Sequence, residues 1–173
     1  MNDVIKTILE RRSVREYKSD MVKDELIDEI VKAGTYAPSG RGAQSPIIIA
    51  ITNKKIRDKL ASINAKIAGG VTDPFYGAPV VLVVLADKNI PTYIYDGSLV
   101  MENMMLAAKS LGLGSCWIHR AKEEFETEEG KALLKSLGIM GDYEGIGNCI
   151  IGYPEMDNMK KNPRKENYVY KIK

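Results

Sequence analysis

The chain is poor in the residues from which most catalytic and metal sites are built, with one histidine and two cysteines in 173 residues. Two thiols with no histidine or third cysteine nearby cannot make a metal cage. Cys116 and Cys149 both fall in apolar, strand-like segments, which reads as two buried free thiols rather than a disulfide. An excess of one charge is also missing. Lys and Arg total 25 against 23 Asp and Glu, and a formal net charge of +2 supplies no sustained basic face of the kind that nucleic acid or an anionic membrane requires. No continuously apolar leader opens the sequence, so a cytoplasmic location is expected. There is no Gly-Lys-Ser phosphate loop, and Gly112-Leu113-Gly114-Ser115 leads from a helix into a strand, the reverse of the dinucleotide fingerprint. The lone His119 lies near no serine elbow.

What is present reads as one globular domain over residues 1–173, at 45% hydrophobic and 28% charged. Val4, Ile5, Ile8 and Leu9 recur at helical spacing, and a second amphipathic helix is predicted over about 23–33, with Gly34 at its frayed end. A loop over 38–44 feeds the β-branched run 47–51, a central-strand pattern. Ile56, Leu60, Ile63 and Ile67 predict a third helix, and 80–85 a second buried strand. The longest helix is expected over about 95–111, so apolar that it belongs in a core or an interface, with Met101, Met104 and Met105 read as core. Strands follow at 113–118 and 145–152, separated by a polar helical stretch around 122–137. The tail, with Tyr168, Tyr170 and Ile172 alternating with Val169 and Lys171, reads as a half-exposed strand.

The most informative stretch is Arg11-Arg12-Ser13-Val14-Arg15, which gathers three guanidinium groups and a hydroxyl just after the first helix. Guanidinium forks match phosphate oxygens bidentately and stay charged, and serine adds a short directional donor. Taken alone, the run reads equally as solvated charge at a helix end. Together with the absence of a side-chain catalytic set, it points to a bound phosphorylated cofactor that carries the chemistry.

At this point the chain resembles the FMN-dependent nitroreductase family over nearly its whole length. The likeness rests on Arg11-Arg12-Ser13-Val14-Arg15, on Ala37-Pro38-Ser39-Gly40 with Gln44, and on Gly112-Leu113-Gly114-Ser115-Cys116-Trp117-Ile118, in that order and spacing. The resemblance implies an α+β nitroreductase-like fold, a mixed and mainly antiparallel sheet flanked by helices, with the long buried helix at a dimer interface. It implies a homodimer holding FMN in clefts between subunits. Arg11, Arg12, Ser13 and Arg15 would bind the phosphate, ribityl chain and pyrimidine edge, with Arg15 at the ring edge, where a cation stabilises reduced flavin. Pro38, Ser39, Gly40 and Gln44 would line the other subunit's flavin. Gly42 and Ser45-Pro46 depart from the Asn and Pro-Trp common in relatives, and Arg41 reads either as compensation or as an exposed surface residue. Trp117, Ile118, His119 and Arg120 match the segment along the N5 side of the ring. His119 reads either as a structural residue or as one shaping the acceptor pocket or supplying a proton. Arg164 and Lys165 occupy the place of further phosphate contacts, although their polar turn fits a solvated reading as well.

The activity implied is ping-pong hydride transfer from NADH or NADPH through FMN to nitroaromatics, quinones or similar electron-poor acceptors. The short connection between Gly69 and Pro79 leaves little room for the lid of the family's dehalogenating and desaturating branches. An FMN-binding carrier or redox sensor with little turnover is the alternative from another class.

Overall fold

The computed structural model describes residues 1–156 and 160–173. Helix α1 (Asp3–Glu10) starts at Asn2, whose side-chain oxygen accepts from the Ile5 amide at 3.0 Å. It is followed by α2 (Asp24–Thr35), β1 (Pro46–Ile51) and α3 (Lys54–Ile67), the last capped by the Asn53 side chain. Then come β2 (Val80–Asp87), α4 (Tyr93–Ser110) and β3 (Gly114–Ile118). Helices α5 (Ala121–Glu126) and α6 (Glu128–Ser136) lead into β4 (Tyr143–Gly152).

The four strands form one sheet in the order β1-β2-β4-β3, every pair antiparallel; the parallel contact is a single bridge between Ser13 and Ser115. Strand β2 sits inside this sheet with both faces covered, so its sequence is a continuous apolar run rather than an alternation. Val80, Leu82 and Val84 face a layer made by α2 and α4, while Val81, Val83 and Leu85 face the layer of α3 and α5; all six are fully buried. Burying such a side chain contributes about 1.5–3 kcal/mol. Met101, Met104 and Met105 are in the first of these cores. Cys149 lies on that face and Cys116 on the other, both free and buried.

Four local expectations change. The run read as a central strand, β1, stands at the edge of the sheet and pairs with β2 alone among the described residues. Helix α2 continues through Gly34 instead of fraying there, because Gly34 is the point of closest approach to α4: a Cβ would come within 2.8 Å of Met104 Cγ. The polar stretch 122–137 is two helices, broken at Thr127, which takes an extended conformation (φ −71°, ψ 158°) and caps α6 by accepting from the Gly130 amide at 3.0 Å. The tail is not a strand. Glu166–Tyr168 forms a 3-10 turn, and Tyr168, Val169, Tyr170 and Ile172 stand exposed with no ladder partner among the described residues.

Strand β4 carries a bulge opposite Val84 and Leu85, where the pairing skips Ile146. The bulge sends Ile146 onto Gly97 of α4, where a Cβ would lie 2.6 Å from Ile146 Cγ1. Beside it, a Cβ on Gly145 would meet the Ala121 carbonyl oxygen at 2.2 Å, a backbone atom that cannot swing aside. Gly145→Ala is therefore expected to cost about 2–4 kcal/mol of stability, read as a lowered urea midpoint at unchanged m-value.

Candidate functional site

The arginine run is shaped by how the chain leaves α1. The Arg11 amide makes the last helical bond, to the Thr7 carbonyl at 2.9 Å, and the backbone then extends. Residues 13–18 lie along the outer edge of the sheet: the Val14 amide donates to the Ser115 carbonyl at 2.9 Å, and the Lys18 amide to the Tyr153 carbonyl at 2.9 Å. Val14 is buried on Gly114, where a Cβ would come within 2.8 Å of its side chain. Since extended residues alternate sides, Ser13 and Arg15 turn the other way.

Arg11, Arg12, Ser13 and Arg15 line an open cleft of about 980 Å³ together with Lys160, Lys161 and Arg164. Six cations thus face one cleft, and among the described residues no carboxylate lines it. Arg12 Nη1 donates to the Leu9 carbonyl at 3.0 Å and to that of Arg11. Arg11 Nε faces Glu102 at 3.6 Å. Arg11 Nη1 and Arg12 Nε are buried donors with no partner among the described residues. A buried donor left unpaired costs about 1–3 kcal/mol, and more when charged, so this donor set fits a multiply charged anion such as a phosphate ester. Of the two late cations, Arg164 reaches the cleft; Lys165 does not line it, and its Nζ sits 5.2 Å from the centre of the Tyr168 ring.

The loop 38–44 is built elsewhere. Pro38, Ser39 and Gln44 line a second cleft of about 370 Å³ with Asp96 and Val100 of α4. Arg41 (φ 54°) and Gln44 (φ 49°) both hold left-handed conformations, which non-glycine residues adopt only when the surroundings impose them. The Gln44 amide donates to Ser39 Oγ at 3.0 Å, and the loop is anchored at either side by Asp96, 2% exposed, which accepts from the Gly40 amide at 2.9 Å, Ser45 Oγ at 2.7 Å and Thr92 Oγ1 at 3.1 Å. Gly40 is required there, because a Cβ would lie 2.3 Å from Thr92 Oγ1. Burial pushes the Asp96 carboxyl up, but these donors outweigh it and hold the pKa below the usual carboxylate value. Sequence reading passed over Asp96, although an acid in the first turn of an otherwise apolar helix was the available signal.

The segment 117–120 lies in a third place and lines neither cleft within one chain. Trp117 packs on Gly147, with its buried Nε1 unpaired among the described residues. Ile118 is buried in β3, and His119 is exposed, its ring 6.4 Å from that of Trp117. Arg120 is left-handed (φ 78°), and its carbonyl accepts the first bond of α5, from the Glu124 amide at 2.9 Å. The His119 carbonyl accepts from Asn64 Nδ2 at 2.7 Å. Asn64 and Glu124, both fully buried, were not singled out from sequence; Asn64, one turn after Leu60 on the apolar face of α3, carried a readable signal.

Asp96→Ala is expected to cost about 2–4 kcal/mol, since it leaves three donors without an acceptor, and to speed hydrogen exchange at the Gly40 amide. Asp96→Asn, which keeps an acceptor, should recover part of both. Exchange at Gly40 unchanged in Asp96→Ala would count against this anchoring.

The sequence pattern of the nitroreductase family matches residues 8–72 and 68–153. A protein of Archaeoglobus fulgidus whose name couples NADH dehydrogenase with NAD(P)H nitroreductase is 33% identical over 160 residues, covering 90% of this chain and 87% of its own. A nitroreductase structure with bound FMN from Bacteroides fragilis superposes with a TM-score of 0.91 at 28% identity, covering all of both chains. Another with bound FMN, from Desulfitobacterium hafniense, gives 0.88 at 26% identity over 99% of this chain and 100% of that one. The chain belongs to the nitroreductase family.

Proposed function

We propose that the protein is an FMN-dependent oxidoreductase, a single nitroreductase-like domain over residues 1–173. It takes reducing equivalents from NADH or NADPH and delivers them to nitroaromatics, quinones or similar electron-poor acceptors. The observation that carries the reading is the cationic cleft with its two unpaired buried guanidinium nitrogens, supported by the FMN bound in the two similar structures. Held there, FMN would supply reversible two-electron chemistry that no side-chain set in this chain provides.

Arg11, Arg12, Ser13 and Arg164 hold the phosphate. Arg15, two residues beyond Ser13 along an extended segment, is about 7 Å further on and reaches toward the ring edge, where its charge favours the reduced state. The turn 117–120 supplies backbone groups and Trp117 beside the ring, so His119 is placed to shape the acceptor pocket.

One chain holds the phosphate cleft and the 38–44 loop apart, so Pro38, Ser39, Gly40 and Gln44 serve the flavin of a second copy. A homodimer follows. Its contact surface is supplied by Val4, Ile5, Ile8 and Leu9 on α1, Ile94, Tyr95 and Leu99 on α4, and the tail, all exposed apolar side chains in the isolated chain. Among the described residues no helix is long and apolar enough to cross a membrane, and a cytoplasmic location is part of this proposal.

The purified protein is expected to be yellow and to bleach when NADH or NADPH is added without oxygen. Arg12→Ala should weaken FMN binding by about ten- to a hundred-fold, the loss of one or two charge-assisted hydrogen bonds. A protein that takes up no FMN on incubation would sink the reading. Sedimentation should return twice the chain mass of 19.2 kDa, and a monomer that still binds FMN with full affinity would remove the shared-site arrangement.

A further inference from the structure

Beneath the 117–120 turn lies a carboxylate for which the proposed chemistry has no use. Glu124 is fully buried. Helix α3 presents Asn64 to it and β4 presents Asn148, both through Nδ2, with Asn148 reaching the two carboxylate oxygens at 3.1 and 3.0 Å. The charged groups acting on it are Glu123 on its own helix and Arg120 on the turn; the other two elements bring only amides.

Asn64 is shared, because the same Nδ2 donates to the His119 carbonyl at 2.7 Å. The Oδ1 atoms of Asn64 and Asn148 are buried with no donor among the described residues. An ionised carboxylate only accepts, so it fixes both amides with nitrogen toward it. A protonated one must also donate, and the two orphan amide oxygens can accept only if an amide turns over. Turning Asn64 takes the donor from the His119 carbonyl, at a turn whose Arg120 is already left-handed. Burial, partly offset by the two amides, pushes the Glu124 carboxyl up to about 7, so both states are reached near neutrality.

We infer that Glu124 is a positioning residue: its charge state, relayed by Asn64, sets the backbone of His119 and Arg120 and thereby the contact of this turn with the flavin. The flavin half of the inference rests on the function proposed above; the coupling between Glu124 and the turn does not.

Two measurements keep these apart, both made in a His119→Asn background, which removes the chain's one imidazole. In the full chain without FMN, the Arg120 backbone amide is followed by NMR from about pH 5 to about pH 9. It should titrate once near neutrality, and Glu124→Gln, which keeps the shape and can donate to an amide oxygen, should abolish that step. In the FMN-loaded protein, the turn is held above the Glu124 pKa and released below it. The rate of flavin bleaching by NADH should therefore rise about two- to ten-fold with increasing pH, the worth of one hydrogen bond, and be flat in Glu124→Gln. An Arg120 titration that survives Glu124→Gln overturns the inference. The apo step together with identical bleaching profiles overturns its flavin half alone. Failure to take up FMN overturns the function proposed above, while the apo titration still decides the coupling.

Discussion

The pairing of residues 13–18 with the edge of the sheet is the contact on which the cationic cleft depends. Guanidinium groups on a free segment would repel one another and spend their attraction on ordering themselves. Here the Val14 amide is bonded to Ser115 and the Val14 side chain is buried on Gly114, so the register is set by a ladder and a packed side chain. A shift of one residue would bury Ser13 or Arg15 and expose Val14, which apolar burial opposes. The helix α1 fixes the other end, with Arg11 and Arg12 following directly from its last turn.

The other two segments, 38–44 and 117–120, are held by a different device, a buried carboxylate paired with neutral donors instead of a cation. Asp96 ties the 38–44 loop to the start of α4, and Glu124 ties the 117–120 turn to α3 and β4. The segments held contain left-handed non-glycine residues, Arg41 and Gln44 in one and Arg120 in the other. The two differ in how far the donors compensate burial. Three donors, one a backbone amide and two hydroxyls, hold Asp96 ionised, whereas two amide side chains leave Glu124 titratable near neutrality. One anchor is permanent, and the other can be switched by a proton.

The elements were legible in the sequence wherever hydrophobic period or composition decided them. The β-branched run of β1, the continuous apolar run of β2 and the apolar α4 each named the right element, although β1, read as a central strand, stands at the sheet's edge. What escaped was decided by contacts across the fold. Gly34 reads locally as a helix end, but Met104 of another helix makes it an interior crossing point. Thr127 reads as one polar residue in a polar helix until its hydroxyl is seen capping α6. The arginine run announced an anion site because charge and donor geometry are local properties. Asp96 and Glu124 did not, since a carboxylate carries no local mark of the group it will meet, as with Asp96 and Gly40, 56 residues apart in sequence; the apolar helix around Asp96 hinted at burial but not at the loop it holds.

The charge distribution explains how a nearly neutral protein can draw a phosphorylated, multiply charged ligand to one place. The formal net charge is +2, yet six cations line a single cleft. The rest of the surface is therefore net negative. The cleft, walled on one side by Ile8 and Leu9 of α1, gathers what net attraction there is for an anion. This steering is screened by salt over a Debye length of about 8 Å at physiological ionic strength, so it governs how fast an anion arrives more than how tightly it stays. In the function proposed above, retention falls to the buried nitrogens of Arg11 and Arg12, which solvent ions reach least.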